Sequence, residues 1–317
     1  MSLSTDPSNI LNTDPIVSPP LPKNQGETLN WVGLHGSASS FAVSKLAGNH
    51  DKGPIIYLCS QAQNMGLIAK ELAFFLGQEF PIVQFPDWEC LPYDRVSPHP
   101  DITSQRLSCL NRLPQLQQAI VIMPVTSMMQ RLAPNSYIAA HTFDLKVGDE
   151  LNSEQFRQRL SDGGYYSVDQ VMSPGEFAIR GGIIDVFPSG ADQPFRLDLF
   201  DTVIETIKIF DSQTQRSQQS LEHIKILPAR EFPLNDEGIQ LFRQNFRATL
   251  AGDPQQAQSY REVSRGLAPN GCEFYLPLFF EQTASLFDYL PSGSAFVFEE
   301  GVIELFDSLY LEASERY

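Results

Sequence analysis

The spacing of apolar residues changes near residue 142, and this change most strongly limits the folds that the chain can adopt. Before it, continuous apolar runs at residues 54–59, 82–85 and 119–124 alternate with segments in which apolar residues recur at helical spacing. Strands that alternate with helices predict right-handed βαβ units and a parallel sheet covered on both faces. We therefore predict an α/β domain at residues 29–141.

Beyond residue 142 the apolar residues mostly alternate with polar ones, as in half-buried strands. One short helix is predicted at residues 151–160, and the period then falls to two in residues 175–188 and 195–210. Turn residues separate these runs, which indicates a mainly antiparallel sheet with one helix. We predict a separate small α+β domain at residues 142–228.

Two further segments complete the predicted organisation. Residues 1–28 are rich in Ser, Asn, Asp and Pro and are predicted to form a flexible tail. Helical patterns return at residues 229–317, with a strand predicted at 294–298 and a closing helix at 302–315. If this last segment returns to the first domain, the small α+β domain is an insertion.

The composition limits the possible functions. The 317 residues carry a formal net charge of −16 and no run of Lys or Arg, which argues against a module whose main task is gripping DNA. The four cysteines lie far apart and the five histidines stand singly, so metal-ligand spacing is absent. With no secretory signal and no apolar run long enough to span a bilayer, we expect a soluble, cytoplasmic protein without membrane contact.

The stretch from Gly33 to Ser40 has the frame of a phosphate-binding loop, G-x-x-x-x-G-K-[ST], but lacks its working groups. Such a loop needs a second glycine for backbone N–H contacts to phosphates, a lysine that reaches the outer phosphates, and a hydroxyl that holds Mg²⁺. Gly36 lies within the frame, but Ala38 replaces the second glycine and Ser39 the lysine, so only Ser40 remains. We predict a degenerate loop that binds no nucleotide cofactor.

The strand predicted at residues 195–200 places an aromatic ring among charges. If the apolar residues at 195, 197 and 199 face the core, then Arg196, Asp198 and Phe200 share the outer face. Arg180, on the polar side of the neighbouring strand, can lie on that face too. Exposed aromatic rings and arginines are enriched at the anchors of protein interfaces. The pattern therefore indicates a candidate protein-binding face.

An ordinary alternative explains the same residues. Both arginines would pair across the sheet with Glu176, Asp198 or Asp201, at about 0–1 kcal/mol each, and the phenylalanine would lie under a loop. The pattern alone favours this alternative. Likewise, the proline-rich loop at residues 86–94 offers Trp88 and Tyr93 for stacking on nucleobases, but packing against the protein is the favoured interpretation.

Several motifs together resemble the N-terminal part of the bacterial transcription-repair coupling factor family. They are FPDWE (85–89), LPYD (91–94), SPH (97–99), DI (101–102), PV (124–125), MQR (129–131), DQV (169–171), GEFAIRG (175–181), EFY (273–275) and PLFF (277–280). In that family this region is similar to the front of the excision-repair protein UvrB. The resemblance implies a degenerate P-loop, helicase-like parallel-sheet domain in two parts (1A-like and 1B-like), with an inserted UvrA-binding α+β domain.

Two departures from UvrB favour the coupling factors. The phosphate loop is broken, and between Phe85 and Ala119 there is no room for the tyrosine-rich hairpin with which UvrB clamps DNA. By resemblance, the residues that dock UvrA map onto Arg180, Arg196 and Phe200. Because the alternation had already placed Arg196 and Phe200 on one face, we now favour the interface over the ordinary pairing.

The resemblance also implies what the chain lacks. The motor domains of that family, with their ATP and Mg²⁺, and the parts that bind RNA polymerase and duplex DNA lie beyond residue 317. We therefore expect no enzyme activity, catalytic residue or bound metal in this part. The competing functions are an ATP-dependent helicase-like subunit, suggested by the loop frame, and direct binding of damaged DNA through the aromatic loop.

Overall fold

The computed structural model describes residues 19–20, 27–91 and 93–316, and the predicted tail at residues 1–28 lies mostly outside them. Its α-helices are α1 (Ala38–Asn49), α2 (Met65–Leu76), α3 (Pro100–Arg112), α4 (Val125–Met129), α5 (Asn135–Ala140), α6 (Ser153–Asp162), α7 (Asp236–Thr249), α8 (Gln258–Val263), α9 (Leu286–Tyr289) and α10 (Val302–Arg316). None of these described helices is long and apolar enough to cross a lipid bilayer.

The strands form one parallel sheet, one mainly antiparallel sheet and one two-stranded ribbon. They are β1 (Ile55–Cys59), β2 (Ile82–Gln84), β3 (Ile120–Pro124), β4 (Phe143–Lys146), β5 (Tyr166–Ser167), β6 (Glu176–Arg180), β7 (Ile183–Val186), β8 (Phe195–Phe200), β9 (Val203–Phe210), β10 (Ser217–Leu221), β11 (His223–Ile226) and β12 (Ala295–Phe298). A mixed α/β architecture with a parallel and an antiparallel sheet is therefore confirmed.

By their contacts the described residues form two compact units. The first contains the chain up to Gln84 together with Gln115–Val125 and Pro291–Phe306, and the second contains Phe85–Pro114, Thr126–Leu290 and the chain from Asp307. The domain boundaries proposed from the sequence stay predictions.

The first unit is built on a four-stranded parallel sheet in the order β12-β1-β3-β2. β1 and β3 are buried along their whole length, which is usual for central strands covered on both faces. Side chains of α1 and α2, including Leu46 and Leu72, pack on this sheet. β12 pairs with β1, Ala295 opposite Ile55, so a late segment of the chain returns to the first sheet.

The mainly antiparallel sheet belongs to the second unit and has the order β10-β9-β8-β7-β6-β5. One of its faces, together with α6 and the ribbon of β4 and β11, encloses an apolar core. The buried members of that core are Phe143, Leu145, Leu151, Phe156, Leu160, Tyr165, Phe177, Ile184, Val186, Leu197, Ile204, Ile207, Ile224 and Ile226. All of them lie between residues 143 and 226, so this sheet has a hydrophobic core of its own.

Aromatic side chains form another part of the second unit. α7 begins after Asn235, whose side chain accepts a hydrogen bond from the Gly238 N–H, and its first turn carries two acidic residues that suit a helix N-terminus. Phe242 on this helix lies 4.8 Å, between ring centroids, from Phe279 in the 3₁₀ segment Cys272–Phe279. The buried ring of Tyr260 on α8 packs nearby, 5.2 Å from Phe246.

Candidate protein-docking face on the antiparallel sheet

The hairpin of β6 and β7 fixes which side chains share a face of the sheet. Its two-residue turn is Gly181–Gly182, and Gly181 has a φ of +61°, a conformation that glycine adopts without steric cost. At Gly182 a Cβ atom would lie 2.8 Å from the Leu199 carbonyl oxygen, so a side chain there has no room. The turn pairs Arg180 with Ile183, and the register is thereby set.

The register brings three charged residues together on the face opposite the apolar core. Asp185 on β7 lies directly opposite Arg196 on β8, and Arg180 on β6 lies diagonally across from Asp185. Because strand side chains alternate, Asp198 and Phe200 lie on the same face as Arg196. The face predicted from the alternation of β8 is therefore present, and Arg180 belongs to it.

Asp185 is the centre of this group. Its side chain is 0% exposed, with Oδ1 2.6 Å from Nε of Arg196 and Oδ2 2.9 Å from Nη2 of the same guanidinium. Oδ2 also lies 2.5 Å from Nη2 of Arg180. One buried carboxylate thus accepts three hydrogen bonds from two arginines.

Each arginine has further contacts that fix its orientation. Nη1 of Arg180 donates to the Asp169 carbonyl at 3.0 Å, and the side chain remains 50% exposed. Arg196 is 16% exposed, donates through Nη1 to the Gln215 carbonyl at 3.1 Å, and lies over the Phe210 ring at 4.7 Å from its centroid. The guanidinium of Arg196 is thus mostly buried, whereas that of Arg180 is accessible to a partner.

Neighbouring charges on the face are paired in the same way. Lys208 on β9 lies opposite Arg196, and its ammonium group is 2.9 Å from Oδ2 of Asp198. The hydrogen bond to Asp185 raises the pKa of the Arg196 guanidinium despite partial burial. Burial by itself would raise the pKa of Asp198, but hydrogen bonds from Thr206 and Lys208 lower it overall. With Glu176 of β6, which lies on the same face as Arg180, three cations and three carboxylates leave this face without a net charge.

Phe200 is the most exposed apolar side chain of the sheet, at 75%. It ends β8 and pairs with Val203 across the turn Asp201–Thr202, where Asp201 adopts a φ of +57°. Val203 and Ile183, which faces Asp198 across the strands, are also partly exposed. An apolar patch therefore adjoins the arginine group. We call Arg180, Asp185, Arg196, Phe200 and this patch the docking face.

The ordinary alternative named the wrong carboxylates as partners of the two arginines. Glu176 instead accepts hydrogen bonds from the backbone N–H groups of Met172 and Ser173, and Asp198 binds Thr206 and Lys208. The arginines use Asp185, which the sequence analysis missed. A signal was present, since a two-residue turn at Gly181–Gly182 places residues 180 and 185 on the same face.

The loop predicted to be degenerate lies in the first unit, where α1 begins at Ala38. The Ser40 hydroxyl, which alone among the loop's working groups remains, donates to Oε2 of Glu71 at 2.6 Å, and Ser37 donates to Oε1 of the same carboxylate at 2.7 Å. Ser39 donates to the Gly36 carbonyl at 3.3 Å. A carboxylate therefore binds the hydroxyls of Ser37 and Ser40 at this helix N-terminus.

The aromatic loop does not offer Trp88 for base stacking. Its ring is buried, and its Nε1 donates to Oε1 of Glu231 at 3.0 Å. Tyr93 is partly exposed and packs 6.0 Å from the Phe274 ring, beside a cleft of about 560 Å³ that also contains Asp94, Arg95 and Glu262. Two carboxylates against one arginine do not favour a phosphate backbone. Packing of Trp88 against the protein is confirmed.

Within the described part of the chain, no cluster of three or more His, Cys, Asp or Glu residues is arranged to hold a metal ion. No disulfide joins the described cysteines, and burial raises the pKa of the Cys109 thiol to about 12. Cys90, Cys109 and Cys272, whose pKa values burial raises, therefore remain protonated at neutral pH and are poor nucleophiles.

Comparison with known proteins assigns the region of the antiparallel sheet to a described domain family. Residues 143–232 match the family described as the UvrB interaction domain. The chain is 39% identical to the transcription-repair-coupling factor of Escherichia coli (strain K12) over 278 residues, which are 87% of this chain and 24% of that protein. It is 43% identical to the Haemophilus influenzae protein of the same name over 283 residues, 88% of this chain and 24% of that protein.

A more distant relative matches over a similar length. The transcription-repair-coupling factor of Bacillus subtilis (strain 168) is 29% identical over 300 residues, 90% of this chain and 25% of that protein. The chain thus spans about a quarter of the length of the curated relatives that it matches. This sequence is therefore homologous to the N-terminal region of the bacterial transcription-repair-coupling factors, the Mfd family, and contains a UvrB interaction domain.

Proposed function

We propose that this chain is a UvrB-like docking module of a transcription-repair-coupling factor. It binds UvrA through the docking face and recruits it to stalled transcription sites in nucleotide excision repair, in the bacterial cytoplasm. The observation that carries this proposal is Phe200, 75% exposed at the end of β8 beside two arginines that share one buried carboxylate. The match of residues 143–232 to the UvrB interaction domain supports the same face.

The chemistry of the face indicates how binding would work. An exposed phenylalanine ring that enters an apolar pocket provides most of the affinity of such an anchor, and its truncation costs about 2 kcal/mol or more. The half-exposed guanidinium of Arg180 has N–H groups left to donate to a carboxylate of the partner. Since the charges on the face balance, they orient the partner rather than produce strong long-range attraction.

Under this proposal the first unit keeps a helicase-like frame without ATPase activity. The strand order β12-β1-β3-β2 and the loop before α1 support a degenerate P-loop domain in two parts, 1A-like and 1B-like. Glu71 binds the hydroxyl of Ser40, and the lysine of a working loop is replaced by Ser39. ATP, Mg²⁺, RNA polymerase and duplex DNA would bind other parts of the whole protein.

Titration of purified UvrA with this chain tests the proposal. Arg180→Ala, Arg196→Ala and Phe200→Ala are each expected to weaken or abolish binding while circular dichroism shows a folded protein. Phe74→Ala on α2 is the matched control, because Phe74 is equally exposed, at 81%, but lies outside this sheet. Arg157→Ala on α6 is the control for the arginines.

The outcomes separate the site from the partner. If all three variants bind UvrA as tightly as the wild type, UvrA is still the partner, but it does not bind through the docking face. No binding by the wild type would reject the docking function. A rise in melting temperature with ATP, or salt-sensitive binding to damaged duplex without UvrA, would then favour the helicase-like or the DNA-binding function.

A further inference from the structure

We propose that Asp185 is a positioning residue of the docking face, whose buried carboxylate holds Arg180 and Arg196 in the orientation that a partner meets. This inference rests on the proposed docking function. It adds a residue that contacts no partner itself, because Asp185 is 0% exposed. Asp185 would affect partner binding only by orienting the two guanidinium groups.

The first line of support is the hydrogen-bond geometry. Arg196 binds both oxygens of Asp185, through Nε at 2.6 Å and Nη2 at 2.9 Å, which fixes the plane of its guanidinium. Arg180 binds Oδ2 at 2.5 Å and the Asp169 carbonyl at 3.0 Å through two different nitrogens. Arg180 is thus held through two nitrogens and Arg196 through three, because its Nη1 also donates to the Gln215 carbonyl, and Asp185 is the contact that they share.

The second line of support is charge. Arg196 alone would neutralise the buried carboxylate, yet Arg180 is bound to the same oxygen. Two guanidinium groups that bind the same oxygen atom are close enough to repel each other, and the carboxylate between them offsets this repulsion. Asp185 therefore allows a second cation close to Arg196 and leaves one net positive charge at the accessible side, on the half-exposed Arg180.

The third line of support is the position of Phe200. Asp185 lies opposite Arg196 on β8, and Phe200 lies four residues further along the same face of that strand. The apolar anchor and the oriented guanidinium are therefore presented by one rigid sheet. The partner surface that fits this arrangement is a protein surface with an apolar pocket next to a carboxylate.

A double-mutant cycle on UvrA binding tests the inference. Asp185→Asn keeps the shape of the side chain and removes the anion, so binding is expected to weaken about tenfold or more. In the background of Arg180→Ala with Arg196→Ala, the same substitution is expected to change binding less than about twofold, because nothing is left to position. A merely structural role would give the same loss in both backgrounds and would overturn the inference.

The side-chain NMR signal of the arginines gives a second readout. The Nε–H of Arg196 is expected to exchange slowly with solvent in the wild type and quickly in Asp185→Asn. The backbone NMR signals of the sheet should remain those of the folded protein in both. Unchanged exchange, or wild-type affinity in folded Asp185→Asn, would contradict the positioning role. If the wild type does not bind UvrA, the docking function itself fails and this inference fails with it.

One further variant covers the case in which Asp185→Asn does not fold. Arg180→Lys keeps the charge on a half-exposed side chain but replaces the planar guanidinium by an ammonium group. If orientation matters, this variant binds UvrA as weakly as Arg180→Ala. If it binds like the wild type, charge alone is sufficient and the positioning role is rejected.

Discussion

Arg106 on α3 and Glu231 form a buried ion pair in the second unit, with Nε of Arg106 2.7 Å from Oε1 of Glu231. Nη2 of the arginine lies 3.2 Å from the other carboxylate oxygen, and Nη1 donates to the Pro86 carbonyl at 2.7 Å. Trp88 donates to the same carboxylate, and the guanidinium lies over its ring. The loop at residues 86–88, α3 and the segment at residue 231 are therefore joined by one buried polar group.

We expect removal of one member of this pair to be strongly destabilising. Arg106→Met leaves the Glu231 carboxylate buried without its cation and should reduce the free energy of unfolding by about 3–5 kcal/mol. Urea denaturation followed by circular dichroism measures this. The double variant Arg106→Met with Glu231→Leu should recover part of the loss, although Trp88 then lacks its acceptor; an equal or greater loss would contradict the explanation.

The effect of Phe200 on binding should be separable from any effect on stability. Because the ring is 75% exposed, Phe200→Ala should change the free energy of unfolding by no more than about 0.5 kcal/mol. The same substitution should weaken UvrA binding by about 2 kcal/mol or more if the ring is the apolar anchor. Denaturation and titration of one preparation compare the two. A large loss of stability would mean that the ring supports the fold instead.

The partly exposed residues beside Phe200 should contribute less. Val203 lies opposite Phe200 and Ile183 opposite Asp198, so both can contact the rim of a pocket that receives the ring. Each alanine variant should weaken UvrA binding by about 0.5–1 kcal/mol, as rim contacts do. Titration measures both, with Val147→Ala as a control at a similarly exposed valine. If either variant loses as much binding free energy as Phe200→Ala, that residue lies at the centre of the interface and not at its rim.

The sequence predicted strands and helices well where the apolar pattern was strong. The patterns at residues 54–59 and 119–124 correspond to β1 and β3, and those at 294–298 and 302–315 to β12 and α10. By contrast, β10 was not predicted, because its residues Ser217–Leu221 are polar and mostly exposed. An edge strand of that kind has no apolar alternation to reveal it, and only pairing with β9 makes it a strand.

The candidate site was predictable in part. The alternation of β8 placed Arg196 and Phe200 on one face, because strand side chains alternate whatever the sheet around them. The partner of the arginines was not predicted, since it depends on the register of β7 against β8. Asp185 lies among the apolar residues of β7, where the apolar pattern suggests only a buried strand. The pairing of strands, a non-local property, decided which carboxylate the arginines use.

The pH dependence of stability should contain a contribution from Glu273. Burial raises its pKa above the ordinary value, although hydrogen bonds from its own backbone N–H and from the Ser97 hydroxyl act in the opposite direction. The folded state therefore binds the proton more tightly than the unfolded state, so this group costs stability as pH rises from the unfolded pKa, about 4.3, through the raised folded pKa.

Glu273→Gln isolates this contribution from those of the other carboxylates. The glutamine can still accept the hydrogen bond from Ser97 but carries no charge. The variant should be more stable than the wild type at pH 7, and the difference should shrink as the pH falls toward 4. Urea denaturation across that range measures the gap between the two proteins. A gap that is constant or grows at acidic pH would show that the charged form of Glu273 is stabilised in the folded state.

The degenerate loop should not regain nucleotide binding when its missing residues are supplied. In Ala38→Gly with Ser39→Lys the consensus is restored, but the Ser40 hydroxyl still donates to Glu71 at 2.6 Å and is not available for Mg²⁺. Burial, together with the charges of Glu299 and Glu71, raises the pKa of nearby Tyr57 to about 12. The Glu71 carboxylate, which binds two hydroxyls at this helix N-terminus, would oppose the approach of phosphates.

Thermal unfolding with and without Mg·ATP measures this prediction. A ligand that binds only the folded state at a hundred times its Kd raises the free energy of unfolding by about 2.7 kcal/mol, which is readily detected as a higher Tm. We expect no shift in the wild type or in the double variant. Adding Glu71→Ala to the double variant removes this carboxylate together with the acceptor of the serine hydroxyls, so a shift in this triple variant alone would identify Glu71 as the group that excludes phosphate. A shift in the double variant would show that the lost glycine and lysine were the sole obstacle.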